Sequence, residues 1–214
     1  MNKVFVVGKD HLVQAIFKDE PGFEVVYNHK EANIIVFTGG ADVSPGLYGH
    51  PIHPTTRCAP QRDHDEVILY EDTPMDALVV GICRGAQFLC VMNGGTLYQD
   101  VDRHAIYDTH SLVYKDEKGV ESLCDTTSTH HQMQNPFCPQ DGLDKLNFEM
   151  WGWADRSTYR TAVPEFSAPH KDVEILYWPE THCLGFQGHP EYGSKECREL
   201  FFTCVNRALQ RKVN

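Results

Sequence analysis

No Cys-x-x-Cys pair occurs in this chain, no apolar run approaches the ~18 residues that a membrane span requires, and lysine and arginine form no clusters. Each absence removes a class of protein. Without Cys-x-x-Cys spacing there is no zinc-finger or ribbon signature, although eight cysteines are present, at positions 58, 83, 90, 124, 138, 183, 197 and 204. The formal net charge is −11, with Asp and Glu spread along the sequence. Nucleic acid and anionic membranes are met by clustered basic residues, so neither is expected as a partner. Residues 1–8 hold too short an apolar stretch for a signal peptide and read as a first strand, which predicts a cytoplasmic protein with reduced, mostly buried cysteines. Internal repeats and low-complexity tracts are absent. His50, His53, His64, His104 and His110 have no ligand-like spacing, and neither a metal nor a cofactor is expected.

What is present fits one ordinary globular domain spanning residues 1–214, with 41% hydrophobic and 23% charged residues. Short β-rich runs cover residues 3–7, 23–27 and 33–37. Leu12, Val13, Ile16 and Phe17 recur at helical spacing between the first two runs. A loop rich in Gly, Pro and His extends from Thr38 to Pro60. Residues 62–71 read as a helix, with Val67, Ile68 and Tyr70 available for burial, and residues 77–81 as a buried strand. Such alternation predicts an α/β fold with a parallel sheet whose ligands sit at the strands' carboxyl ends. The second half differs. Two strands joined at a turn over residues 116–119 are expected between Ile106 and Cys124, with further strands at 148–153, 173–178 and 184–187. Residues 156–172 read as a surface loop. A closing amphipathic helix over 194–211 carries Cys197, Leu200, Phe201, Cys204, Val205, Ala208 and Leu209 on one stripe, and Cys90 falls on a similar apolar face.

The most telling stretch is Gly81-Ile82-Cys83-Arg84-Gly85-Ala86-Gln87. A cysteine between two glycines, where a buried strand turns into a helix, is the thiol counterpart of the Gly-x-Ser-x-Gly nucleophile elbow. The glycines permit a turn tight enough to push the thiol out at the strand's end. The helix start supplies free N–H groups and a positive dipole end that favour thiolate. This pattern implies a cysteine nucleophile directed at a carbonyl carbon. Such a nucleophile needs a base, and the base needs an orienting group. Late in the chain, Gly188-His189-Pro190-Glu191 follows an apolar run. Proline keeps His189 extended, and residues two apart in an extended segment share a side, so Glu191 can hold one imidazole nitrogen while the other faces a thiol.

The pairing of Gly-Ile-Cys-Arg-Gly-x-Gln with a late His-Pro-Glu resembles the class I glutamine amidotransferases, and within them the γ-glutamyl hydrolase branch, which includes the γ-glutamyl-γ-aminobutyrate hydrolases (peptidase C26-like). Residues 38–49, Thr-Gly-Gly-Ala-Asp-Val-Ser-Pro-Gly-Leu-Tyr-Gly, resemble that branch's glycine loop. Arg62-Asp63, the Asn93–Asp100 segment and Ser128-Thr129-His130-His131-Gln132 are similar to further family segments. Gly188 departs from the pattern, since the family commonly has an aromatic residue there.

The resemblance implies a three-layer, flavodoxin-like α/β fold with a mostly parallel central sheet flanked by helices and a small antiparallel β addition. It implies Cys83 as the nucleophile toward a γ-glutamyl amide, His189 as the proton carrier and Glu191 as its holder. It further implies an oxyanion hole from the backbone N–H groups of Gly40 and Arg84, and recognition of the glutamyl ends by Gln87, His130, His131 and Gln132. Taken singly, Gly39-Gly40 also fits a plain tight turn, the Arg84 side chain fits an ion pair as well as a substrate contact, and His130 and His131 fit ordinary loop histidines. Three functions remain open: a stand-alone amidohydrolase acting on glutamine or a small γ-glutamyl amine, a glutaminase subunit passing ammonia to a synthetase in trans, and a silent binding domain.

Overall fold

A computed structural model of the chain describes residues 1–143, 145–155 and 171–211. Its strands are β1 (Asn2–Val6), β2 (Phe23–Val26), β3 (Ile34–Phe37), β4 (Leu78–Ile82), β5 (Thr96–Tyr98), β6 (Ala105–Lys115), β7 (Glu121–Thr129), β8 (Met133–Asn135), β9 (Glu149–Ala154), β10 (Val173–Trp178) and β11 (Cys183–Phe186). Its helices are α1 (His11–Asp19), α2 (Pro60–Glu71), α3 (Arg84–Met92) and α4 (Lys195–Leu209). Nine strands form one sheet in the order β2-β1-β3-β4-β11-β10-β9-β6-β7. The half from β2 to β11 is parallel, and β10, β9, β6 and β7 extend it antiparallel. This antiparallel extension is continuous with the main sheet. A separate two-stranded antiparallel pair, β5 with β8, supplies the small antiparallel addition that the resemblance implies, although neither strand is read from its own residues. Most of the expected loop at 156–172 lies outside the described residues.

The layering follows from alternation along the parallel strands. Ile34, Val36, Leu78, Val80 and Ile82 point to the face covered by α1 and α4, where they meet Val13, Ile16, Phe17, Phe201 and Val205. Ile35, Phe37 and Val79 point the other way, toward Phe88 and Leu89 of α3 and the half-buried Val67 and Tyr70 of α2. On the first face Phe17 packs edge-on against Phe23, Phe201 and Phe202, with centroids 5.4–5.9 Å apart. The apolar stripe of the last helix is buried as its spacing predicts, including Cys197 and Cys204. The expectation for α2 needs correction. Ile68 is exposed, and the residues that α2 buries are Asp63 and Glu66. The reason lies in Arg84, whose cation draws both carboxylates inward.

Local signals set the ends of these helices. Asp10 accepts the Leu12 and Val13 N–H groups at 2.9 and 3.1 Å to cap α1, and Ser194 caps α4 through the Cys197 N–H at 3.1 Å. Pro60 stands in the first turn of α2, where a missing N–H costs nothing. Asp116 closes the β6–β7 turn by accepting the Lys118 and Val120 N–H groups at 2.9 and 2.8 Å. Among the described residues no helix is long and apolar enough to cross a membrane.

Candidate active site

Three neighbouring parallel strands bring the site together. β4 pairs with β3 on one side and β11 on the other, with Phe37 opposite Gly81 and Phe186 opposite Ile82. The segments leaving these strands at their carboxyl ends are Thr38-Gly39-Gly40, Cys83-Arg84 and Gln187-Gly188-His189. Residues remote in sequence therefore share one edge of the sheet.

Cys83 caps the start of α3 with φ 52° and ψ −108°, in the positive-φ region that a side-chain-bearing residue rarely occupies. Its own N–H is held by the Phe186 carbonyl at 2.9 Å, and its carbonyl accepts the Ala86 and Gln87 N–H groups at 3.0 and 3.2 Å. The flanking glycines are required by close approach. A Cβ on Gly81 would collide with the Gly85 backbone, and one on Gly85 would collide with the Phe37 carbonyl. Cys83 is 8% exposed and packs at the edge of the buried cluster that includes Ile82 and Phe186. Burial pushes the Cys90 thiol up to about 12 and the Cys204 thiol higher still, as befits small core residues.

The Nδ1 of His189 lies 2.6 Å from Glu191 Oε1, and the ring neighbours the Cys83 side chain. Burial alone would lower the imidazole's affinity for a proton. The neighbouring Cys83 and Glu191 outweigh it and raise the pKa to about 10. The ring is fixed on every side. Its backbone N–H donates to Thr127 Oγ1 at 2.6 Å, and Tyr192 stacks on it with centroids 4.5 Å apart. Gly39 abuts the ring, since a Cβ there would lie 2.7 Å from His189 Cε1. Gly188 is imposed by β7, because a Cβ would strike the Thr126 hydroxyl. The sequence reading gave Thr127 and Tyr192 no role, and no local pattern marks them: each reaches His189 only through the fold.

A buried ionic cluster holds the glycine loop against the elbow. The Arg84 guanidinium pairs with Asp63 and Glu66, and its Nε donates to the Ala41 carbonyl at 3.0 Å. Arg62 pairs with Glu66 at 2.7 Å and donates to the Gly39 and Thr38 carbonyls at 2.9 and 3.0 Å. Asp63 in turn accepts the Ser44 N–H at 3.0 Å. The Arg84 side chain is thus structural. Its backbone N–H, first in the helix, has no intrahelical acceptor.

The four residues expected to recognise substrate are placed differently from one another. Gln87 is buried, with Nε2 on the Gln132 carbonyl at 3.0 Å. Gln132 is buried and donates to Thr56 Oγ1 at 3.2 Å. His131 is half-buried and faces the Asp42 carboxylate at 3.1 Å. That contact raises its pKa, against the opposing effect of burial, with Asp100 adding to the rise. His130 is turned into the protein, with Nδ1 on the Gln132 carbonyl at 2.8 Å and Nε2 directed at Glu174.

A family model described as Peptidase C26 matches residues 14–136. The glutamine amidotransferase-like protein YvdE of Lactococcus lactis subsp. lactis is 44% identical over 161 residues, covering 73% of this chain and 65% of that protein. Protein NtpR of Enterococcus hirae is 38% identical over 176 residues, covering 73% of this chain and 66% of its own. The chain therefore spans a little under two thirds of the length of either relative. Among solved structures, a GMP synthase subunit from Thermoplasma acidophilum superposes with a TM-score of 0.60 at 16% identity, covering 97% of this chain and 94% of that one. PurLQS from Thermotoga maritima gives 0.58 at 15% identity, covering 97% and 99%. These likenesses concern the fold.

Proposed function

The chain belongs to the Peptidase C26 family, within the class I glutamine amidotransferase-like superfamily, and on that footing we propose that it is a cysteine-dependent hydrolase of γ-glutamyl amide bonds. One observation carries the reading: a strained cysteine at a helix start, set beside a histidine that a carboxylate holds at 2.6 Å. With a pKa near 10, His189 is an imidazolium at neutral pH, a cation that favours a thiolate beside it. The Cys83 sulfur attacks the γ-carbonyl carbon, and the carbonyl electrons move onto oxygen. Backbone N–H groups of Arg84 and Gly40 receive that oxyanion. Collapse breaks the C–N bond, and His189 delivers its proton to the departing ammonia or amine. Water then attacks the glutamyl thioester, giving its proton to His189, and glutamate leaves as Cys83 is restored. Glu191 holds the imidazole orientation and stabilises its charged form throughout.

At the substrate's far end, His131 beside Asp42 and Asp100 offers a ring N–H suited to a glutamyl carboxylate and carboxylates suited to its amino group, by exchange of partners. The test is a panel of glutamine and γ-glutamyl amines with purified protein, following glutamate release. Turnover of one or more members that collapses in His189→Asn, with little change in ground-state binding, supports the reading. Absence of glutamate release from every member sinks it. Two solved structures of similar fold, a GMP synthase subunit and PurLQS, motivate a second reading, in which ammonia passes to a separate synthetase. That reading predicts slow glutamine hydrolysis by the chain alone and acceleration when the partner is added.

A further inference from the structure

Away from Cys83, the fold gathers histidines whose sequence spacing gives no hint of one another. His104 precedes β6, His110 lies on it, and His130 follows β7. All three converge on Glu174 of β10. A single oxygen, Glu174 Oε1, lies 3.5 Å from His104 Nδ1, 3.0 Å from His110 Nε2 and 3.6 Å from His130 Nε2. His104, His130 and Glu174 are 1%, 4% and 1% exposed.

The outer hydrogen bonds dictate which nitrogens carry hydrogen. His130 Nδ1 faces the Gln132 carbonyl at 2.8 Å, and a carbonyl only accepts, so that nitrogen is the N–H. His104 Nε2 faces the Asp172 carboxylate at 3.1 Å, which likewise accepts. In their neutral forms the two rings turn the lone pairs of His130 Nε2 and His104 Nδ1 toward a buried carboxylate. Acceptors face acceptors, and both nitrogens, together with Glu174 Oε2, have no hydrogen-bond partner. Burying unpaired polar atoms costs several kcal/mol in general, so something positive belongs between them.

We propose that His104 Nδ1, His110 Nε2 and Glu174 Oε1 form a three-ligand site for a divalent first-row transition ion of the zinc type, with His130 beside it. The dimensions suit it. An ion bonded at 2.0–2.2 Å in a tetrahedron holds its ligand atoms about 3.4 Å from one another. Here the two nitrogen-to-oxygen separations are 3.5 and 3.0 Å, and the three donor atoms lie within 4.8 Å of one another. Two imidazoles and one carboxylate favour zinc-like ions over magnesium or calcium. Asp172 behind His104 is the carboxylate that commonly orients and strengthens a ligating imidazole. An open cavity of about 460 Å³, walled in part by His104, His110, Asp125 and Asp155, gives the ion an entry route. Two contacts tie the site to the candidate active edge. The Gln132 carbonyl also accepts from Gln87, and the Glu174 carbonyl accepts the Gln187 N–H at 2.8 Å. The ion's work is therefore to fix that edge in place.

The test uses the full chain carrying Cys83→Ala, so that the elbow thiol contributes nothing, stripped with chelator and titrated with Zn²⁺ by calorimetry and with Co²⁺ by visible absorption. Expected are one equivalent bound, a tetrahedral cobalt spectrum without a sulfur-to-cobalt charge-transfer band, and a metal-dependent rise in Tm. His110→Ala, at the partly exposed ligand, should weaken binding more than a hundredfold while keeping the far-UV circular dichroism of the parent. Asp172→Asn should weaken it by roughly tenfold to a hundredfold. No binding, a thiolate band, or undiminished binding in His110→Ala overturns the proposal.

Discussion

Replacing Arg84 with methionine isolates the buried ionic cluster that joins the glycine loop to the elbow. Arg84 is 1% exposed, and Asp63 and Glu66, its two ion-pair partners, are 2% and 4% exposed. Methionine retains much of the volume but leaves two buried carboxylates with one cation fewer. Breaking a buried pair by removing one partner costs about 3–5 kcal/mol, most of it from the charge left behind. Glu66 keeps Arg62 at 2.7 Å, and Asp63 keeps the Ser44 N–H and hydroxyl at 3.0 and 2.5 Å. The loss should therefore fall near the low end, about 3 kcal/mol. Urea denaturation followed by circular dichroism reads it directly. Adding Asp63→Asn removes one stranded charge, so the double variant should be at least about 1 kcal/mol more stable than additivity predicts. A loss for Arg84→Met within about 0.5 kcal/mol, typical of a surface site, refutes the structural role given to this side chain.

Further outcomes concern the histidine and the elbow. Because Cys83 and Glu191 beside it raise His189 to about 10, turnover should persist through mildly alkaline pH and fall as pH rises through about 10. Glu191→Gln removes a neighbouring negative charge and should move that alkaline limb to lower pH in a kcat/KM profile; an unmoved limb contradicts the assignment. The same raised pKa makes the His189 contribution to folding stability fully present below about 6.5 and lost as pH climbs through about 10, which denaturant titrations of wild type and His189→Ala can compare. Gly85→Ala forces a methyl group into the Phe37 carbonyl and should cost about 1–3 kcal/mol of stability together with most of the turnover. Wild-type stability and activity in that variant exclude the tight elbow.

Much of this architecture is legible in the residues because burial and period coincide there. The run Ile34-Ile35-Val36-Phe37 is buried on both faces and reads as a parallel-sheet strand, and Leu78–Ile82 behaves alike. The elbow and the His-Pro-Glu turn carry chemistry within a few consecutive residues. What escaped is polar and non-local. β5 and β8 bury Thr96, Gln134 and Asn135, so no apolar run announces them. Likewise β7 runs on to Thr129 through buried hydroxyl side chains that read as loop. The α2 face was misjudged because an arginine on another element reverses the usual preference, burying Asp63 and Glu66 while Ile68 stays in solvent. The proposed site draws His104 from just before β6, His110 from within it and Glu174 from β10, a meeting that only the antiparallel extension of the sheet creates.

The central claim is that Cys83 takes the glutamyl group as a thioester. Mass spectrometry of protein quenched in acid during turnover of an active γ-glutamyl substrate tests it most directly. The account predicts a glutamyl adduct on the peptide bearing Cys83 in the wild type, and neither adduct nor hydrolysis in a folded Cys83→Ala variant. Hydrolysis at an unchanged rate in Cys83→Ala would contradict it.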